Sequence, residues 1–149
     1  MASHETINLK GHINIKLLDE NGQLKSEVDK HNVVVTVGKN FLAAWLAASS
    51  QSTGFMPYVA LGTGTAAADA SDTALDTETG SRVAGTLSSS TSTYTNQATF
   101  APGVSTGAIT EAGLFSANSG GTMFARQTFA VQNKLAGDTI VFTWNISIS

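Results

Sequence analysis

The sequence predicts a mostly β protein: an antiparallel β-sandwich or barrel of about eight to ten short strands, with one packed α-helix at about 38–50. Three observations carry that prediction. Apolar residues alternate with polar ones at both ends of the chain, turn-forming residues recur between the alternating runs, and a helical period appears in one place. At 149 residues the chain has the size of one ordinary domain, read as a β-rich unit over 1–149 with a short arm at 1–5.

Ile7, Leu9, Ile13, Ile15 and Leu17 occupy odd positions, with Asn8, Lys10, His12, Asn14 and Lys16 between them. That is the period of a strand buried on one face. Gly11 interrupts the apolar face and marks either a bulge or the close approach of another backbone. Asp19-Glu20-Asn21-Gly22 is a turn signal, its Asn-Gly pair suited to positive φ. Leu24 to Val28 and Val33 to Val37 read as returning β segments, with Lys30-His31-Asn32 as a bend or bulge between them. Phe41, Leu42, Trp45, Leu46 and Ser49 then fall at helical spacing among alanines, with Thr36 or a neighbour as the cap. The stripe they form is expected to pack on the sheet; a groove for a partner helix is the alternative.

Tyr58 to Leu61 is a short strand running into Gly62-Thr63-Gly64-Thr65, a turn expected to need glycine dihedrals. The segment from Ala66 to Gly80 reads as a loop with one helical turn near Asp72 to Leu75, Asp72 being its N-cap. Arg82 to Ser89 and Thr93 to Ala101 form a strand pair closed by Pro102-Gly103. Ile109 to Phe115 and Met123 to Phe129 are strands joined by a turn over Ala117 to Gly121. Lys134 to Asp138, containing Gly137, is the last turn. The final strand is the clearest: Ile140, Phe142, Trp144, Ile146 and Ile148 alternate with Val141, Thr143, Asn145, Ser147 and Ser149, which makes the C-terminus a core element.

Composition excludes several functions. Cysteine is absent, so disulfides and thiolate metal sites are excluded. Charged residues make up 13% of the chain against a usual share of roughly 25%, and Ser and Thr fill the gap. Eight dispersed Lys and Arg at a net charge of −3 supply no phosphate-binding footprint, so no nucleic-acid partner is expected. A low-charge surface is a solubility hazard for a free monomer, which suggests a surface covered by partners; a plain Ser/Thr-rich β surface is the alternative. Met1 to Lys10 has no signal-peptide core, and Phe41 to Ala48, the longest apolar stretch, is too short to span a bilayer. The expectation is synthesis and folding in a cytoplasm, with no membrane partner.

No constellation points to catalysis, and no cofactor is expected. The loop at Gly62 to Thr65 lacks the Lys and following helix of a phosphate-binding loop. Asp69, Asp72, Asp76 and Glu78 gather four carboxylates, but not at the spacing of a calcium loop, so a solvated acidic loop is expected. His4, His12 and His31 show no metal-ligand spacing, and no Ser sits in a Gly-x-Ser-x-Gly elbow. Glu111 is the informative residue. In Ile109-Thr110-Glu111-Ala112-Gly113-Leu114-Phe115, the alternation puts it on an apolar face with Ile109, Gly113 and Phe115. A carboxylate there needs a partner, and the chain has only Arg82 and Arg126 to offer a guanidinium; a structural pair with one of them is expected.

Tyr58-Val59-Ala60-Leu61-Gly62-Thr63-Gly64-Thr65, Asp72-Thr73-Ala74-Leu75, Thr110-Glu111-Ala112-Gly113-Leu114-Phe115 and Ala136-Gly137-Asp138-Thr139 before a Trp-bearing strand form a collinear set. With the opening hairpin and His31-Asn32-Val33-Val34-Val35 leading into a Trp-containing helix, the set resembles a family of small tailed-bacteriophage structural proteins. Its members are head decoration (cement) proteins or tail and fibre components. The resemblance implies a non-enzymatic virion component, made in a bacterial host, whose partners are the major capsid protein and its own copies as a trimer. Ala2, Ser3, His4 and Glu5 would form an arm contacting the capsid. Thr110 to Phe115 also resembles the attachment domains of tail-collar fibres. A tail, collar or baseplate subunit, touching other tail proteins, is therefore the alternative, and a carbohydrate-binding module a more remote one.

Overall fold

The computed structural model describes residues 6–48 and 55–149. Alternating burial produces nine strands and one helix: β1 (Leu9–Leu18), β2 (Leu24–Val34), α1 (Thr36–Ala47), β3 (Tyr58–Gly62), β4 (Glu78–Ala84), β5 (Thr86–Ser90), β6 (Thr93–Phe100), β7 (Gly107–Phe115), β8 (Met123–Lys134) and β9 (Thr139–Ile148). All pairs are antiparallel, and the strands run in the order β4-β3-β7-β8-β2-β1-β9-β6-β5. The result is a nearly closed, flattened barrel.

Two strands turn its corners. β2 pairs with β1 from Leu24 to Asn32, then with β8 at Val33 and Val34. Lys30-His31-Asn32 is therefore not a bend out of the sheet but the stretch leading to a change of partner, and Val35 to Val37 lead into the helix instead of extending the strand. At the other corner, the expected strand from Arg82 to Ser89 is divided at Gly85, with β4 at one end of the strand order and β5 at the other. The Gly85 amide donates to the Pro57 carbonyl at 2.9 Å, and a Cβ there would fall 1.7 Å from Asn96 Oδ1. The chain turns this corner where only a hydrogen fits.

The interior is apolar. Ile13, Ile15, Leu61, Leu114, Phe100, Phe142 and Trp144 are fully buried in one cluster, each such side chain contributing about 1.5–3 kcal/mol. Gly11 keeps its register with both neighbours, so it is no bulge. It is the seat of the Asn32 side chain, whose Nδ2 lies 2.1 Å from where a Cβ would be.

The helix starts at Thr36, and Val35, its N-cap, makes no side-chain cap bond. Thr36 does not cap it; its amide instead donates to the Ala70 carbonyl at 2.8 Å. Gly38 is the helix residue that is fully buried, and a Cβ there would meet the Phe124 backbone at 2.5 Å. Of the expected apolar stripe, Phe41, Leu42 and Trp45 are half-buried, Leu46 is 69% exposed and Ser49 lies outside the described residues. α1 meets β8 directly at Gly38, and beyond it the Phe55 ring lies 5.7 Å from Phe41 and 5.0 Å from Phe124.

Candidate functional site

The polar centre of the protein is built on the outer face of the sheet. Within β7 the register with β8 shifts between Ile109 and Glu111. That irregularity takes Ile109 off the expected shared face and leaves Glu111, Gly113 and Phe115 together on it. Ile109, Ala112 and Leu114 join the barrel interior, whereas Phe115 joins a second cluster with Val35, Ala60, Leu75 and Met123 under the 63–77 loop. Glu111 is completely buried beneath that loop.

Its carboxylate is saturated. Oε1 accepts from the amides of Gly64 at 3.0 Å and Thr77 at 2.7 Å, and Oε2 from the Asp76 amide at 3.0 Å. Oε2 also takes Nε and Nη2 of Arg126 at 3.1 and 2.9 Å. Arg126, 2% exposed, continues outward: Nη1 donates to Asp72 Oδ2 at 2.7 Å and Nη2 to the Ala66 carbonyl at 2.9 Å. One carboxylate and one guanidinium thus fasten both ends of a long loop to two strands. Burial pushes the Glu111 carboxyl upward, but the amides of Thr77 and Asp76, the Arg126 guanidinium and the Gly64 amide outweigh it and hold it below the usual range. Burial likewise opposes the charge of Arg126, and Asp72 and Glu111 more than restore it.

The glycines follow from this lock. A Cβ on Gly62 would lie 2.4 Å from Glu111 Oε1, and one on Gly64 2.6 Å from the same oxygen and 2.4 Å from Asp76 Cβ. Neither has positive φ. Space is what they provide, not the unusual dihedrals the sequence suggested. Gly137 sits in the last turn with a Cβ position 3.4 Å from Glu20, an ordinary contact, and its φ is not positive either.

Arg82 goes elsewhere. It makes a two-point pair with Glu78 at 2.7 and 3.2 Å, donates to the Ala117 and Gly120 carbonyls at 2.8 Å, and lies 3.7 Å over the Phe115 ring. The acidic loop is therefore not merely solvated. Asp72 and Glu78 are committed to the two arginines, and Asp69 Oδ1 accepts from the Ser71 amide at 2.8 Å. No helical turn forms at Asp72 to Leu75, because Asp72 accepts from Arg126 and from the Asp69 amide at 2.9 Å instead of capping. Among the described residues, no three His, Asp or Glu groups converge to hold a metal ion. His12 and His31 meet edge to face at 5.7 Å, and His4 lies outside the described residues with Ala2, Ser3 and Glu5.

Sequence reasoning missed two features. The role of Asp72 as second partner of Arg126 had no local signal. Lys25 Nζ bonds Asp138 Oδ2 at 2.6 Å, and the buried Lys134 donates to the Ala101 carbonyl at 3.0 Å. Lys134 and Asp138, flanking one turn, were a legible hint.

The other surface feature is an apolar groove of about 210 Å³ at the end where β1 begins and β9 finishes, lined by Leu9, Leu42, Phe55, Tyr94, Phe124 and Ile146. No described helix is long and apolar enough to cross a membrane. Compared with known protein families, curated proteins and solved structures, the chain matches none.

Proposed function

We propose that the chain is a virion structural protein, a capsid decoration (cement) subunit that binds the outer surface of the major capsid protein in many copies and performs no catalysis. The observation that supports this reading is the division of the molecule into a saturated polar lock and an apolar end that no described residue covers. Glu111 and Arg126 are spent inside the protein. Leu46 and Ile148, which line the apolar groove, are 69% and 44% exposed. An apolar patch rimmed by polar residues is what a docking subunit presents.

The mechanism is mass action. A subunit that binds only the assembled lattice lowers its free energy, and many copies tie neighbouring capsomers together. The test is imaging of particles carrying the protein. Hundreds of copies on the head support decoration, a handful at the tail supports the collar or baseplate alternative, and absence from particles refutes both. Deleting residues 1–5 should lower head occupancy while the melting temperature stays fixed. Unchanged occupancy would remove the arm from the proposal.

A further inference from the structure

The strand order has two ends, and the protein treats them differently. At β4, Ser105 Oγ approaches the carbonyls of Thr79 and Ser81 at 3.5 and 3.4 Å, and a Cβ on Gly80 would fall 2.3 Å from that oxygen. That edge is capped in part by a side chain and interrupted by an irregularity at Gly80. At β5, Thr86 to Ser90 pair with β6 on one side, and no described residue pairs with them on the other. In an antiparallel strand, alternate residues turn N–H and C=O away from the paired side, so this edge is a template for an extended backbone.

Proteins usually blunt such an edge with Lys, Pro or a bulge. β5 has none of these: it reads Thr-Leu-Ser-Ser-Ser, is exposed except at half-buried Leu87, and keeps regular register with β6. The absence of charge reaches further. From Val83 to Thr110 there is no Asp, Glu, Lys or Arg, so the whole β5–β6 hairpin is neutral. Its pairs toward β9 are side-chain hydrogen bonds, Thr95 with Asn145 at 2.7 Å and Gln97 with Thr143 at 3.2 Å.

We infer that the β5 edge is a self-association surface, pairing antiparallel with β5 of a second copy across a twofold axis near Ser88. The edge selects an extended backbone, and its neutrality selects a neutral partner strand. The chain's own β5 meets both conditions, and two identical copies meet with no like charges opposed. The pairing would join two sheets through one continuous, uncharged stretch made of the two β5–β6 hairpins. It goes beyond the virion reading and does not depend on it.

Sedimentation of the full chain from low micromolar to high concentration, with Ser88→Lys, Ser88→Glu and their equimolar mixture, tests it. The wild type should dimerise. Each charged variant should dimerise about fivefold or more weakly at an unchanged melting temperature, and the mixture should recover the dimer. A wild type that stays monomeric, or a dimer or trimer unaffected by both variants, overturns the inference; the trimer is the arrangement the family resemblance implies. If the variants do not fold, exchange of the wild-type β5 amides decides. Protection that rises with concentration supports the pairing, and concentration-independent exchange rejects it.

Discussion

Glu111 and Arg126 sit diagonally across neighbouring strands, Glu111 opposite Thr128 and Arg126 opposite Gly113, and their charges meet at 2.9 Å with almost no water contact. A buried pair of this kind is costly to break from one side, because the remaining charge keeps its burial and loses its counter-ion. Arg126→Met and Glu111→Gln should each destabilise the protein by about 3–5 kcal/mol. The double variant should lose less than the sum, by a coupling of about 0.5–3 kcal/mol. Urea unfolding of the four proteins measures this, and additive losses would show that the two residues act separately.

The same lock sets a pH dependence. The Glu111 carboxyl is held below its unfolded value, so the unfolded chain binds the proton more readily over the interval between the two. The stabilisation is complete above the unfolded carboxyl pKa of about 4.3 and is lost as pH falls through the folded value. Asp138, lowered by hydrogen bonds from Lys25 and the Leu135 amide against a smaller effect of burial, adds to the same acid limb. Stability should be flat around neutrality and drop on acidification, more gently in Glu111→Gln. A variant with the wild-type acid limb would show that Glu111 does not carry it.

Gly62, Gly64 and Gly137 should part company. Alanine at Gly62 or Gly64 forces a methyl group into the Glu111 carboxylate, at 2.4 or 2.6 Å, and should cost about 1–3 kcal/mol. Alanine at Gly137 meets only Glu20 at 3.4 Å in a backbone any residue adopts, and should be neutral or stabilising by about 0.4–1 kcal/mol. Thermal unfolding of the three variants checks the contrast. Equal losses at all three would restore the dihedral explanation.

The strands were legible wherever one face was buried and the register ran unbroken. β9 is the clearest case, with Ile140, Phe142, Trp144 and Ile146 inside. Period-two reasoning failed where register changes, since a shift at Ile109 and Glu111 separates two residues that alternation puts together. It also could not see the corner at Gly85 or the partner change in β2, because both depend on which strand lies beyond. The need of Glu111 for an arginine followed from burial alone. The choice between Arg82 and Arg126 did not, because it depends on the fold of the 63–77 loop.

Arg82 gives the last prediction. It holds the segment after β7 by donating to the Ala117 and Gly120 carbonyls, with Glu78 orienting its guanidinium and Phe115 beneath it. A lysine has one compact ammonium in place of a planar fork, so it cannot serve two carbonyls and both carboxylate oxygens while lying flat on a ring. Arg82→Lys should therefore release the loop before it unfolds the barrel. Amide exchange should speed up in residues 116–122, while β9 stays protected and global stability falls by no more than about 1–2 kcal/mol. Exchange that accelerates equally in β9 would mean that Arg82 supports the whole barrel rather than this loop.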